Sequence, residues 1–352
     1  MKYVFLDGRK ISSPAELHHA FADALDFPEH YGNNLDALHD CLTEQPEPVE
    51  VIAVNTALLR ERLGRKWKPF LRLMDDLRQD EPDFRFTMEP PENGSSGSLP
   101  DGTSYQDANA AAFDRWIEEG WEWGVSITHE AYERAQAGDW RVLLTPTKPV
   151  PKEWFGRIKG RKILGLASGG GQQMPVFSAL GADCTVLDYS DRQLQSERDV
   201  AQREGYEIAI VKADMSRPLP FPDGCFDMIF HPVSNVYVRE VKPIWRECFR
   251  VLKPGGVLLA GLDNGINYIV DEDEERIVNA LPFDPVKNED QLRQLREQDA
   301  GVQFSHTAEE QLGGQLEAGF VLTDLYEDTN GEGRLHELHI PSYYATRAVK
   351  PG

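Results

Sequence analysis

The sequence predicts an α/β protein of two domains, and three observations carry that prediction. Short runs rich in Val, Ile and Leu alternate with helix-length amphipathic stretches along most of the chain. The 352 residues exceed the size at which a single core stops growing. Between them, PPENGSSGSLPDGT, residues 90–103, buries nothing and fits a flexible linker. The first domain is therefore 1–89 and the second 104–352. The GSSGS core suits a natural linker or an engineered joint equally.

In the first domain, Tyr3–Leu6 reads as a strand ending in a DG turn, and Ser13 as the cap of a helix opening at Pro14. A second helix runs near Asn34–Leu42, a strand over Val49–Asn55, a helix over Trp67–Leu77 and a last strand over Phe84–Met88. Such alternation is that of a parallel sheet covered by helices. The second domain opens on a helical, tryptophan-rich lead-in, 104–160. Strands follow near Ile163–Ala167, Thr185–Leu187, Ile208–Val211, Met228–Phe230 and Val257–Ala260, with two more near Val321–Tyr326 and Tyr343–Ala348. This is a doubly wound α/β core over 161–352.

Composition narrows the function classes. No apolar run is long enough to span a bilayer and the start lacks a secretion signal, which implies a cytoplasmic protein. Cys41, Cys184, Cys225 and Cys248 stand singly, as structural thiols of a reducing compartment, with no metal site. A net charge of −22 argues against nucleic-acid binding and leaves room for a basic partner.

From Asp26 to Glu50 every charged residue is acidic. On the second helix Leu35, Leu38 and Leu42 fall on one side, while Asp36, His39, Asp40 and Thr43 fall on another. A solvated face is the plain reading; like charges four apart are better understood if a cation neutralises them. FPEHYGNNLDALHDCLT, residues 27–43, resembles the characteristic helix of the barstar family of ribonuclease inhibitors, as does the order of elements over residues 1–88. The resemblance implies that Asp36 and Asp40 enter a basic, barnase-like ribonuclease site. Asn34, Leu35, His39 and Thr43 would line the contact, and Asp76, or its neighbour Asp75, would add a carboxylate. His30 and His39 stand where barstar has aromatic residues, and Glu44 where it has glycine.

In ILGLASGGGQ, residues 163–172, a strand enters three glycines, and VLDYS then places Asp188 after the next strand. Glycines admit close backbone approach and a carboxylate can accept ribose hydroxyls, which suits dinucleotides and S-adenosylmethionine alike. KADMSRPLPFPDGCFDMIF, residues 212–230, and RVLKPGGVLLAG, residues 250–261, discriminate. Together these motifs resemble class I S-adenosylmethionine-dependent methyltransferases, which implies a Rossmann-like second domain behind a barstar-like one.

By that resemblance Ala167, Ser168, Gly169, Gly170, Gly171 and Gln172 wrap the methionine end of the cofactor and Asp188 its ribose. Tyr189 packs on the adenine, Asp214 and Met215 meet its edge and face, and His231 sits near the reacting methyl. Gly165 replaces the acidic residue usual in the first strand and Ala167 the first loop glycine; Gln172, Gln173 or the lead-in would compensate. Candidate bases for a small-molecule acceptor are His231 and His306, with Tyr237 and Asn235 as orienting groups. The lead-in, carrying Trp116, Trp121, Trp123, Trp140 and Trp154, would pack on the sheet or form a lid. The acidic segments 263–275 and 326–337 point to a basic or polar acceptor. Two other readings stay open here: an inhibitor whose second domain is a passenger, and a nicotinamide-dependent oxidoreductase resting on the same glycines.

Overall fold

The computed structural model describes residues 2–28, 31–54, 56–88 and 104–352; the expected linker 90–103, together with Glu29, His30 and Asn55, lies outside them. The chain divides into two compact units, Met1–Ser96 and Gly97–Gly352.

In the first unit β1 (Lys2–Asp7), β2 (Val49–Val54) and β3 (Phe84–Met88) form a parallel sheet in chain order. Parallel neighbours need crossovers, and helices supply them. α1 (Pro14–Leu25) and α2 (Leu35–Thr43) link β1 to β2, and α3 (Thr56–Leu63) and α4 (Trp67–Asp80) link β2 to β3. Period-two alternation sends Val4, Leu6, Val49, Val51 and Ala53 into the core and leaves Tyr3 and Phe5 exposed. Ser13 caps α1, accepting the Glu16 N–H, and Asn34 caps α2, accepting the Ala37 N–H at 2.9 Å. α3 adds to the expected set. Of its described side chains only Leu59 and Leu63 are buried, too few for a clear helical period.

The second unit begins with α5 (Tyr105–Glu118) and α6 (His129–Gln136). The core then alternates through β4 (Lys162–Leu166), α7 (Met174–Ala179), β5 (Asp183–Asp188), α8 (Asp191–Glu204), β6 (Ala209–Lys212), β7 (Phe226–His231), α9 (Lys242–Val251) and β8 (Leu252–Asp263). It ends with α10 (Glu289–Glu297), α11 (Gly314–Glu317), β9 (Val321–Asp328), α12 (Gly333–Glu337) and β10 (Tyr343–Val349). The sheet order is β6-β5-β4-β7-β8-β10-β9, so the winding reverses between β4 and β7. In an open α/β sheet, that reversal opens a crevice at the carboxyl ends of the strands.

β10 runs antiparallel between β8 and β9, unlike the all-parallel 3-2-1-4-5-6 order of dinucleotide-binding sheets. The Lys253–Gly256 stretch, ahead of the strand expected near Val257–Ala260, is already part of β8: Gly255 N–H donates to Lys350 O at 2.8 Å and Lys350 N–H to Gly256 O at 2.9 Å. On one face of the sheet Phe230 packs on Phe155 and Phe177, with ring centroids 6.4 and 5.2 Å away. On the other, the fully buried Trp245 donates its indole N–H to Glu310 O at 3.0 Å. Phe230 is itself fully buried, so Phe230→Ala should cost the second unit about 3–5 kcal/mol, read as an earlier urea unfolding transition.

Candidate functional site

The crevice at the strand reversal is a cavity of about 640 Å³. One half lies at the ends of β4, β5 and β6, the other at the ends of β7, β8 and β10, and α5 with Trp121 and Trp123 supplies a further wall.

The glycine loop follows β4. Ala167 N–H donates to Leu187 O at 2.8 Å and Gly170 N–H to Gln193 O at 3.0 Å. Gly169 N–H donates to Asp188 Oδ2 at 3.0 Å and Gly171 N–H to Glu197 Oε1 at 2.8 Å. Four amides that could have cradled a phosphate are thus engaged within the chain. Two of them rest on carboxylates. α7 has only six residues, with Pro175 in its first turn, and Gln173 gives it no side-chain cap. This loop is ill suited to a pyrophosphate, which relies on free loop amides and a helix start.

Side-chain size matters at the same loop. A Cβ on Gly169 would stand 2.9 Å from Asp188 Oδ2, and one on Gly170, at φ +95°, would collide with Gln193 Oε1. Ala167 holds φ +47°, a left-handed conformation that costs an L-residue about 1–2 kcal/mol. At Gly165 a Cβ would meet Met174 Sδ at 2.5 Å. The methionine thus occupies the room that an acidic side chain in this strand would need.

Asp188 also accepts N–H bonds from Tyr189 and Ser190, at 2.8 and 3.1 Å, and burial raises its carboxyl above the usual range. Ala167, Ser168, Gly169, Gln172, Tyr189, Asp214 and Met215 line the cavity with it, while Gly170 and Gly171 lie behind the wall. Ser168 Oγ and Gln193 Oε1 are buried lining atoms with no hydrogen-bond partner. Such orphans are what a bound molecule satisfies. Together with the carboxylates, they suit a cationic nucleoside-like cofactor such as S-adenosylmethionine.

Gln172 is spent on the lead-in, donating to Trp123 O at 2.8 Å and Val125 O at 3.0 Å. Ser126 Oγ bonds Gly170 O at 2.9 Å and Ile127 N–H bonds Gly171 O at 2.9 Å, so the lead-in runs directly against the glycine loop. Farther up, Tyr189 donates to Asp107 Oδ1 at 2.8 Å, and Asn109 exchanges two bonds with Val302 at 2.9 and 2.7 Å.

The two histidines expected as bases both lie away from the cavity wall. His231 is fully buried, with Nδ1 against Leu166 O at 2.8 Å and Nε2 against Asn235 Oδ1 at 2.5 Å; burial lowers its pKa. It points into the sheet core and does not line the cavity. His306, also buried, meets Asn235 O at 3.1 Å and likewise lies outside the wall. Asn235 is the brace between them and not a substrate-facing group. Tyr237 does line the cavity, packed on Phe113 at 4.8 Å between ring centroids, and burial raises its phenol.

Three residues of the site were not singled out from the sequence. Gln193 and Glu197 lie on α8 with Leu194, Val200 and Ala201, along its buried stripe. A polar residue at such a position was the available signal. Asp263 ends β8 and lines the cavity; it is 4% exposed, and burial pushes its carboxyl up to about 6.

In the first unit Asp36, His39 and Asp40 project from α2 as exposed residues, while Leu38 and Leu42 are buried and Leu35 packs at the core's edge. Thr43 Oγ1 donates to His39 O and Asp40 O, at 3.1 and 2.9 Å. Asn34 spends its side-chain oxygen on the cap. Asp76 is exposed on α4, which packs beside α2, and Asp75 pairs with Arg78 at 3.1 Å.

Two family models match the chain: Barstar (barnase inhibitor) over residues 1–89 and Methyltransferase domain over residues 164–260. An uncharacterized methyltransferase, YbaJ of Bacillus subtilis, is 41% identical over 249 residues, covering 69% of this chain and 97% of that protein. The sterol 24-C-methyltransferase erg6 of Aspergillus fumigatus is 32% identical over 106 residues, 29% of this chain; the match spans only 28% of that relative. Among solved structures, an S-adenosylmethionine dependent methyltransferase from Mesorhizobium loti aligns at 20% identity and TM-score 0.45, covering 56% of this chain and 94% of that one.

Glu197 gives the loop a pH signature. Burial pushes its carboxyl from 4.5 up to about 8, against the opposing Gly171 N–H. The unfolded chain releases this proton near the lower value and the fold keeps it to the higher one. Stability is therefore complete below the lower value and declines as pH rises between them, by up to about 1.4 kcal/mol per pH unit. Glu197→Gln should flatten that decline in thermal melts recorded from pH 5 to 8.5.

Proposed function

The chain belongs to the S-adenosylmethionine-dependent methyltransferases through its second unit and carries a barstar domain ahead of it, and on that premise we propose that it methylates a small molecule inside the cavity while α2 binds a basic ribonuclease. The observation that supports the first half is the glycine loop, whose amides are engaged by Asp188, Gln193 and Glu197.

When bound, S-adenosylmethionine supplies a methyl group on a positively charged sulfur, which an acceptor displaces in line. Asp188 keeps lone pairs for the ribose hydroxyls beyond its three N–H bonds. Ser168 Oγ and Gln193 Oε1 gain partners from the bound donor. Tyr189 and Met215 would flank the adenine and Asp214 would take its polar edge. α5, Trp121 and Trp123 keep water from the reacting atoms, and Tyr237 helps to orient the acceptor. With His231 and His306 committed to the core, neither serves as a base at the acceptor, and positioning carries most of the rate.

The second half is supported by the exposed carboxylates of α2, which stand on a helix whose other side is core. Barstar and barnase are the reference case for such charge coupling. Asp36 and Asp40 replace the phosphates of the ribonuclease's substrate, with Asp76 on the adjoining α4, and His39 Nδ1 stands 3.5 Å from Asp40 Oδ1.

Calorimetry on the full chain tests each half. S-adenosylhomocysteine should bind, and Asp188→Ala should weaken that binding by about tenfold or more; a folded chain that binds none removes the methyltransferase reading. A barnase-type ribonuclease should bind with an affinity that falls as salt rises and drops by about tenfold or more on Asp40→Ala. Indifference to both changes removes the inhibitor reading.

A further inference from the structure

The cavity extends beyond the donor half. At the ends of β7, β8 and β10 its wall consists of Tyr237, Tyr268, Phe283 and Tyr343 around Asp263. Tyr343 stands opposite Asp263 in the β8–β10 ladder, and Tyr268 stacks on Phe283 with ring centroids 5.1 Å apart. Asp263 accepts hydrogen bonds from Gly265 N–H at 2.6 Å and Asn267 Nδ2 at 2.8 Å. Both donors are neutral. Among the described residues no Lys, Arg or His lines any part of the cavity, whereas Asp271, Glu272 and Glu274 add carboxylates to this half.

A buried carboxylate is costly unless a cation compensates it. Its carboxyl, at about 6, still ionises at neutral pH. Asp188 and Asp214 already make the donor half negative, and Asp263 stands apart from them in the acceptor half, where its charge is left for another molecule. An anionic acceptor would be repelled by this wall, and a neutral one would leave Asp263 uncompensated. Tyrosine faces attract ammonium groups at close range.

We propose that the methyl acceptor is a small amine that binds as its ammonium to Asp263 between the rings of Tyr268 and Tyr343. The ammonium passes its proton to the Asp263 carboxylate, the freed nitrogen lone pair forms the new bond to the methyl carbon, and the carbon–sulfur bonding pair stays on the departing sulfur. The proposal rests on the methyltransferase reading and adds to it the acceptor's chemical class.

The test is calorimetric binding of benzylamine, benzyltrimethylammonium, benzyl alcohol and benzoate to the full chain saturated with S-adenosylhomocysteine. Both cations should bind about tenfold or more tightly than the alcohol and the carboxylate. Asp263→Asn should abolish that preference and leave S-adenosylhomocysteine affinity within about twofold. If Asp263→Asn does not fold, Tyr343→Leu should weaken both cations and spare benzyl alcohol. No detectable cation binding, equal binding of the four probes, or a preference that survives Asp263→Asn overturns the proposal. So does a large loss of S-adenosylhomocysteine affinity in that variant, which would assign Asp263 to the donor. A wild-type chain that binds no S-adenosylhomocysteine overturns the methyltransferase reading and this proposal with it. Donor binding without cation preference overturns this proposal alone.

Discussion

The site depends on the hold that two carboxyl groups, those of half-buried Asp188 and fully buried Glu197, have on the backbone of the glycine loop. Each takes one glycine amide, and Gln193 supplies a third acceptor through its carbonyl. Because those acceptors press against the loop from within, residues 169 and 170 have no room for a side chain. The loop therefore turns toward the cavity with its donors already used. A ligand meets Ser168, Gln193 and the carboxylates of Asp188 and Asp214, a surface that favours positive charge and disfavours phosphate. That single arrangement separates a sulfonium cofactor from a dinucleotide more firmly than the glycine pattern itself.

The departures in this loop are coupled to packing. Gly165 and Met174 form one unit, since the methionine sulfur fills the space beside a residue without a side chain. A carboxylate cannot return to residue 165 unless Met174 moves. Ala167 is different: it keeps the left-handed turn that glycine would adopt freely, and the surrounding bonds hold the strain.

Alternation of apolar runs and helices was enough to read both α/β units and to place every strand to within a few residues. Local pattern does not reveal strand direction, so the antiparallel insertion of β10 between β8 and β9 stayed hidden until long-range pairing was visible. The glycine loop and Asp188 were legible because glycine and a strand-end carboxylate are distinctive. Gln193 and Glu197 were missed because a charged or polar residue on a helix is ordinarily read as solvated, whereas here both fall on the buried stripe. His231 misled for a related reason. A histidine that closes an apolar strand gives no sign of which way its ring turns, and both nitrogens of this ring face inward.

The lead-in also has a temporal aspect. Asn109 reaches its partner Val302 across 193 positions, and Arg115 its partner Asp299 across 184. On the ribosome these two residues emerge long before the segments that receive them, whereas Asp107 and Ser126 of the same lead-in find Tyr189 and Gly170 far sooner. Strands β4 to β8 can assemble in the meantime. The roof therefore closes in two stages, and a nascent chain stalled before residue 299 would have most of its parallel sheet and a crevice still open on the acceptor side.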